Sequence, residues 1–253
     1  MGAQGAGAVA CGGARVNDVM IGIQARVNSS RLPRKPLQII GNRSAIFHVW
    51  ARARLVAPMR VLVPWRDVPE FRAVLPGSEP DPEWGDPGFI RGTEYRDEND
   101  VLYRYADHLG SDICVRVTAD CPFVAPDGIQ AVIQAVRDGA DYARLHPIPN
   151  GLDAEAFTYK ILMDAHRKAK DPYDREHVTP WIRRHAKRTV DVPLYAHLPR
   201  YRWTLDTQDD LAWFREVASE INCDPPHPTV DELLALLARR PDLAILDEVP
   251  CPA

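Results

Sequence analysis

The feature that most constrains this chain is an alternation of short apolar runs with helix-period segments, repeated from residue 18 almost to the far end. Residues 18–25 (DVMIGIQA) have the length and apolarity expected of a strand buried on both faces, and they break into a polar loop at 26–34. Residues 44–56 read as a helix with Ser44 as its cap, and 59–64 (MRVLVP) as the next strand. From 65 to 97 the chain is dense in proline, glycine and acidic residues, which predicts a long excursion with little regular structure. The pattern then resumes: a helix at 98–109, a strand at 112–118, and a helix at 126–138 opened by Pro126. Strands at 140–144 and 152–158, helices at 159–169 and 174–185, short strands at 190–193 and 202–205, and helices at 207–221 and 229–239 complete the reading. Parallel strands need crossover connections, and the crossovers cover the sheet faces, so the expected class is α/β with a mainly parallel sheet. Ligands of such sheets bind beyond the carboxyl ends of the strands, which directs attention to the loops at 26–35 and 119–122.

Composition narrows the partners. With 253 residues and 45% hydrophobic side chains, residues 18–253 suffice for one large domain, and the glycine- and alanine-rich residues 1–17 read as a disordered leader. A net charge of -4 and a pI near 6.1 give no reason to expect nucleic acid. The five cysteines are scattered, without a C-x-x-C pair, which argues for a reducing compartment rather than a disulfide framework. The leader lacks a basic start and a continuous apolar region, and nothing approaches the roughly 18 apolar residues of a membrane span. The expectation is a cytoplasmic protein that engages no membrane.

The first loop, Ala25-Arg26-Val27-Asn28-Ser29-Ser30-Arg31-Leu32-Pro33-Arg34-Lys35, concentrates cations directly after the first strand. Guanidinium, ammonium and backbone N–H groups are what a triphosphate requires, although a solvated basic loop has the same composition. Neither G-x-x-x-x-G-K-[ST] nor G-x-G-x-x-G follows the strand, which disfavours P-loop enzymes and dinucleotide-binding dehydrogenases.

This loop resembles the A-R-x-x-S-x-R-L-P-x-K signature of cytidylyltransferases of the spore-coat polysaccharide type, relatives of the synthetases that make CMP-activated sugar acids. The resemblance continues in family order through Phe89-Ile90-Arg91-Gly92-Thr93, Asp100-Val101-Leu102 with Arg104-Tyr105, Arg116-Val117-Thr118-Ala119-Asp120-Cys121-Pro122, Gly151-Leu152-Asp153 with Glu155, Arg175-Glu176-His177-Val178-Thr179-Pro180, and Leu205-Asp206-Thr207. It extends from about Ile21 to beyond Leu211. The fold it implies is a three-layer Rossmann-like, glycosyltransferase-A-like nucleotidyltransferase.

The resemblance also implies roles. Lys35 and Arg26 hold the phosphates of CTP, with Ala25 in the same loop and Arg31 as a third donor. Asp120 and Asp206 hold Mg2+, a hard ion suited to carboxylate oxygens, and Asp120 is catalytic alongside Lys35 and Arg26. Arg91, Gly92 and Thr93 lie near the cytosine. Asp153, Glu155, Arg175, Glu176 and His177 approach a small acidic acceptor: a sugar acid, a phosphate or a phosphonate. The reaction is attack by an acceptor oxygen on the α-phosphorus, with pyrophosphate leaving. Relatives are often dimers, which makes a homodimer an open expectation.

Taken without the resemblance, several of these residues read as structural. Asp120 terminates a strand before proline, Thr207 and Asp210 form a helix capping box with Asp206 as a neighbouring turn residue, and Glu176 and His177 belong to a helix start. Asp153 and Glu155, two apart on a strand, share one face. Cys121 beside Asp120 invites a zinc site with Cys114, which spacing and flanks do not support. The chain also departs from the family pattern. Val27 and Asn28 replace methionine and glycine, Arg34 replaces a glycine that can take positive φ, Pro36 follows the lysine, and 95–99 resembles a small insertion, so a changed loop geometry is expected. Three alternatives stay open: a nucleotidyltransferase using another base, a glycosyltransferase of related fold, and a non-catalytic nucleotide-binding relative. The absence of a D-x-D turn at Asp120 weighs against the glycosyltransferase.

Overall fold

The computed structural model describes residues 18–76, 90–93 and 99–247. The leader at 1–17 and nearly all of the insertion at 95–99 lie outside them. In chain order the strands and helices are β1 (Val19–Gln24), the short hairpin β2 (Ile39–Ile40) and β3 (Arg43–Ser44), α1 (Ala45–Ala53), β4 (Met59–Pro64), α2 (Val68–Val74), β5 (Ile90–Thr93) and α3 (Val101–His108). There follow β6 (Ile113–Thr118), α4 (Pro126–Arg137), β7 (Tyr142–Leu145), β8 (Glu155–Thr158), α5 (Tyr159–Lys168), α6 (Pro172–His177), α7 (Thr179–His185), β9 (Thr189–Val192), α8 (Gln208–Glu220) and α9 (Val230–Arg239).

Seven strands form one sheet in the order β5-β4-β1-β6-β8-β7-β9. All neighbours are parallel except β8, which runs antiparallel to both β6 and β7. Strand alternation sends Ile21, Ile23, Val61, Val63, Val115 and Val117 to one face, where they pack with buried residues of α1, α2, α4, α8 and α9. Leu62, Cys114, Tyr142 and Phe157 face the other way, against Tyr105 of α3, Leu162 of α5 and Ile182 of α7. The expected three layers are therefore present. Among the described residues no helix is long and apolar enough to cross a membrane.

Three sequence expectations need correction. The excursion after β4 contains α2, because Pro69 fits a first helical turn and Val68 and Phe71, one turn apart, are both buried. The predicted helix at 174–185 is two helices, broken at Val178, whose φ of 68° is left-handed; Pro180 then sits in the first turn of α7. The predicted strand at 202–205 joins no sheet. Its N–H groups go to loops instead: Trp203 donates to the Asn150 carbonyl at 2.7 Å and Leu205 to the Asp120 carbonyl at 2.8 Å.

That segment is a strap, and Gly151 makes room for it. Gly151 has φ of 105°, and a Cβ there would stand 2.2 Å from the Trp203 carbonyl oxygen. Behind the strap, Arg52 of α1 is 1% exposed and donates to the carbonyls of Pro122 at 2.9 Å, of Pro226 and of His227. Burial pulls its pKa down to about 10. One α-helical turn earlier, His48 is equally buried, with Nε2 3.0 Å from the Ile40 carbonyl oxygen. Burial, with Arg52 nearby, lowers its pKa to about 4.

Gly151→Ala should lower stability by about 3 kcal/mol or more, a fall of roughly 6 °C or more in melting temperature, whereas Gly110→Ala, which meets nothing within 4 Å, should leave it unchanged. His48 binds its proton more readily unfolded than folded, so its contribution is intact above its ordinary value of 6.5 and lost as pH falls toward about 4. Urea unfolding should therefore show wild type losing about 2 kcal/mol more than His48→Gln between pH 7 and pH 5. Parallel pH profiles for the two proteins would contradict this.

Candidate active site

The carboxyl ends of β1, β6 and β7 and the start of antiparallel β8 open on one cleft of about 1250 Å³. Ala25, Arg26, Arg31, Lys35, Asp120, Asp153, Glu155, Glu176, His177 and Asp206 all line it. Arg175 does not, nor do Arg91 and Gly92.

The basic loop is anchored by Leu32, which is fully buried, and by the Val27 N–H, which donates to the buried Asp67 carboxylate at 2.9 Å. Arg34 takes φ 56° and ψ 32°, the left-handed conformation that glycine would adopt there without strain. The arginine accepts the strained backbone, at a cost of about 1–2 kcal/mol, and pairs with Glu70 of α2. Pro36 is buried in the single 3-10 turn Lys35–Leu37, where its missing N–H is no loss.

Lys35 is the centre of the corner. Its Nζ donates to Asp120 Oδ2 at 2.8 Å and to Asp206 Oδ1 at 3.1 Å. Two carboxylates far apart in sequence therefore meet at one ammonium, held in register by the strap hydrogen bond from Leu205 to Asp120. Burial opposes charge on Lys35, but the two aspartates outweigh it and raise its pKa above the usual value. Burial likewise opposes charge on Asp120, and Lys35 outweighs it, holding the carboxyl below its ordinary range. Arg31 donates to Asp206 Oδ1 at 3.0 Å. Arg202, which the sequence did not single out, bonds Asp206 Oδ2 at 3.3 Å and Asp210 Oδ2 at 3.1 Å. The capping box of Thr207 and Asp210 exists, and Asp210 also accepts from the Asp206 N–H at 2.8 Å. The cap and the site are one construction.

The remaining residues divide. Arg26 reaches across the cleft mouth, to Asn99 Oδ1 at 2.8 Å and Glu176 Oε1 at 3.0 Å. His177 packs against Tyr173 with the rings tilted by 53°, and burial lowers its pKa. Asp153 accepts from the Gly151 N–H at 2.9 Å, and burial raises its pKa. Arg175 points away from the cleft into a joint between helices, bonded to Asp100 at 2.7 Å and to the His166 and Ala169 carbonyls. Arg91 and Gly92 lie on edge strand β5, where a Cβ on Gly92 would strike Val68 and the Trp65 backbone, so packing accounts for this glycine. Of Thr93 the structure gives only the backbone, in β5. Cys121 is buried with its pKa raised well above normal by burial, and Cys114 faces the Leu109 and Ser111 carbonyls at the other end of β6, so the two do not make a zinc pair. Arg116 belongs to a quoted motif without having been assigned a role. Arg144 and Arg183 carried no local signal, because only the strand and helix pairing brings them to the cleft.

The family model described as Cytidylyltransferase matches residues 20–63 and 89–240. The spore coat polysaccharide biosynthesis protein SpsF of Bacillus subtilis is 30% identical over 249 residues, covering 90% of this chain and 98% of that protein. Among solved structures, a cytidylyltransferase from Leptospira borgpetersenii superposes with a TM-score of 0.75 at 22% identity, covering 92% of this chain and 99% of that one. The CMP:2-keto-3-deoxy-manno-octonic acid synthetase solved with CTP superposes with a TM-score of 0.57 at 19% identity, covering 81% and 99%. The match spans the sheet, the basic loop and both aspartates of the Lys35 corner, and by it the chain belongs to the cytidylyltransferase family of nucleotidyltransferases.

Proposed function

We propose that the protein transfers the cytidylyl group of CTP to a small acidic acceptor, an acceptor oxygen attacking the α-phosphorus as pyrophosphate leaves. The observation that carries this reading is the convergence of Asp120 and Asp206 on Lys35, beside the basic loop and at the carboxyl edge of the sheet. Support comes from the family and from the related synthetase, which was solved with CTP and is named for a sugar acid.

The donor set suits a divalent cation, Mg2+ in our reading. Two hard carboxylates lie within hydrogen-bonding reach of one nitrogen, and among the described residues no group of three or more His, Cys, Asp or Glu forms a metal cage. That fits an ion held by one or two carboxylates, with water and phosphate oxygens completing its shell. Asp120 and Asp206 would hold it, and when bound it would draw charge from the α-phosphate. Lys35, Arg31 and Arg26 are the donors for the phosphate chain, and fixed cations stabilise the charge that develops on departing pyrophosphate without having to reorganise. Asp153, Glu176 and His177 border the space left for the acceptor.

Asp120→Asn and Asp206→Asn should each cut pyrophosphate release at least about 100-fold with the fold retained by circular dichroism. Near-normal turnover in either would remove its metal role. Lys35→Ala should lower kcat by a similar factor. The whole reading is tested by pyrophosphate release from each of the four ribonucleotides, crossed with sugar acids, sugar phosphates and phosphonates in magnesium. CTP should be the productive nucleotide. Efficient turnover of another nucleotide in its place, or CTP binding without turnover across the acceptor panel, would refute it.

A further inference from the structure

The cleft continues past the Lys35 corner over β6, β8 and β7, where a row of side chains lies in register and runs on to β9. Arg116 is opposite Glu155, Glu155 opposite Arg144, and Arg144 opposite Asp191. Charge alternates along the row, and neighbours pair: Arg116 Nη1 donates to Glu155 Oε2 at 2.7 Å, and Arg144 Nε to Asp191 Oδ1 at 2.8 Å. Glu155 also accepts from the hydroxyls of Tyr142 and Thr179, so three donors share its two oxygens. Each arginine of the row thus has its own carboxylate, and the floor is balanced.

Helix α7 crosses above this floor. Thr179 in its first turn donates to Glu155 at 3.0 Å, and Arg183, four residues later, is on the same helix face. Arg183 is half-buried in the cleft wall and close enough to act electrostatically on the Tyr142 hydroxyl and the Asp191 carboxylate. Yet among the described residues it has no hydrogen-bond or ion-pair partner, in contrast to Arg184 beside it, which is held by Asp174 at 2.6 Å. A guanidinium that gives up part of its hydration without a directly bonded partner is unfavourable unless a ligand supplies one, and its planar fork matches an oxyanion.

We propose that Arg183 anchors an anionic oxygen group of the acceptor, carboxylate or phosphate, at the end of the cleft remote from Lys35. The inference rests on the cytidylyltransferase reading and adds the residue that selects an acid over a neutral sugar. Arg183 is a specificity residue, and the reacting oxygen lies elsewhere on the acceptor, toward Asp120.

The test uses the full chain saturated with CTP, so that the Lys35 corner is occupied, and calorimetric titration with inorganic phosphate, with pyruvate and with a neutral hexose. Wild type should bind at least one of the anions and not the hexose, and the anion that binds identifies the group. Arg183→Ala should weaken that anion at least 10-fold with CTP affinity and melting temperature unchanged, and Arg183→Lys should fall between. Equal anion binding by wild type and Arg183→Ala, binding of neither anion by wild type, or a matching loss of CTP affinity in the variant overturns the inference and leaves the nucleotide reading standing. Failure of wild type to bind CTP at all overturns that reading, and this inference with it.

Discussion

The site depends on a main-chain hydrogen bond, from the Leu205 N–H to the Asp120 carbonyl. Asp120 ends a central strand, whereas Asp206 precedes α8 late in the chain, and nothing in their local sequences forces them together. The strap does so with backbone groups, supported by the Asn150 carbonyl on one side and, through Pro122, by buried Arg52 on the other. Peptide groups have fixed geometry, so the two carboxylates are positioned with little of the freedom that a side-chain tether would allow. Lys35 then needs only to reach the place where both already point.

Function is spread along the sheet edge in units that differ in how complete they are. The Lys35 corner and the Arg116–Glu155–Arg144–Asp191 row satisfy their own charges. Arg26 closes on Asn99 and Glu176 across the mouth. Arg183 alone of these has no such arrangement among the described residues, and this contrast gives it meaning. In a cleft where nearly every cation is matched, the unmatched one marks where something else is expected.

Much of this was legible in the sequence, and the failures have physical causes. Buried central strands announce themselves as apolar runs, so β1, β4 and β6 were read nearly to the residue. Thr207 and Asp210 signalled the start of α8 through a local capping pattern. The break at Val178 was also signalled, by Pro180, but the helical period on both sides outweighed it. The segment at 202–205 has the composition of a strand, but its partners are the loops at Asn150 and Asp120, which no periodicity reveals. Arg202 and Arg183 escaped notice for a related reason: an arginine becomes a site residue through what stands opposite it. Arg175 was misplaced by the converse error, since a motif neighbour of Glu176 and His177 can face the other side of its helix.

The corner around Lys35 has a further consequence. Lys35, Arg31 and Arg202 face Asp120, Asp206 and Asp210, so their charges cancel before any substrate arrives. A stray anion must compete with one or two tethered carboxylates for each cation it contacts, and gains little by entering. A ligand that brings compensating charges of its own can exchange partners without leaving either sign exposed. Self-neutralisation therefore filters ions at the Lys35 end of the cleft.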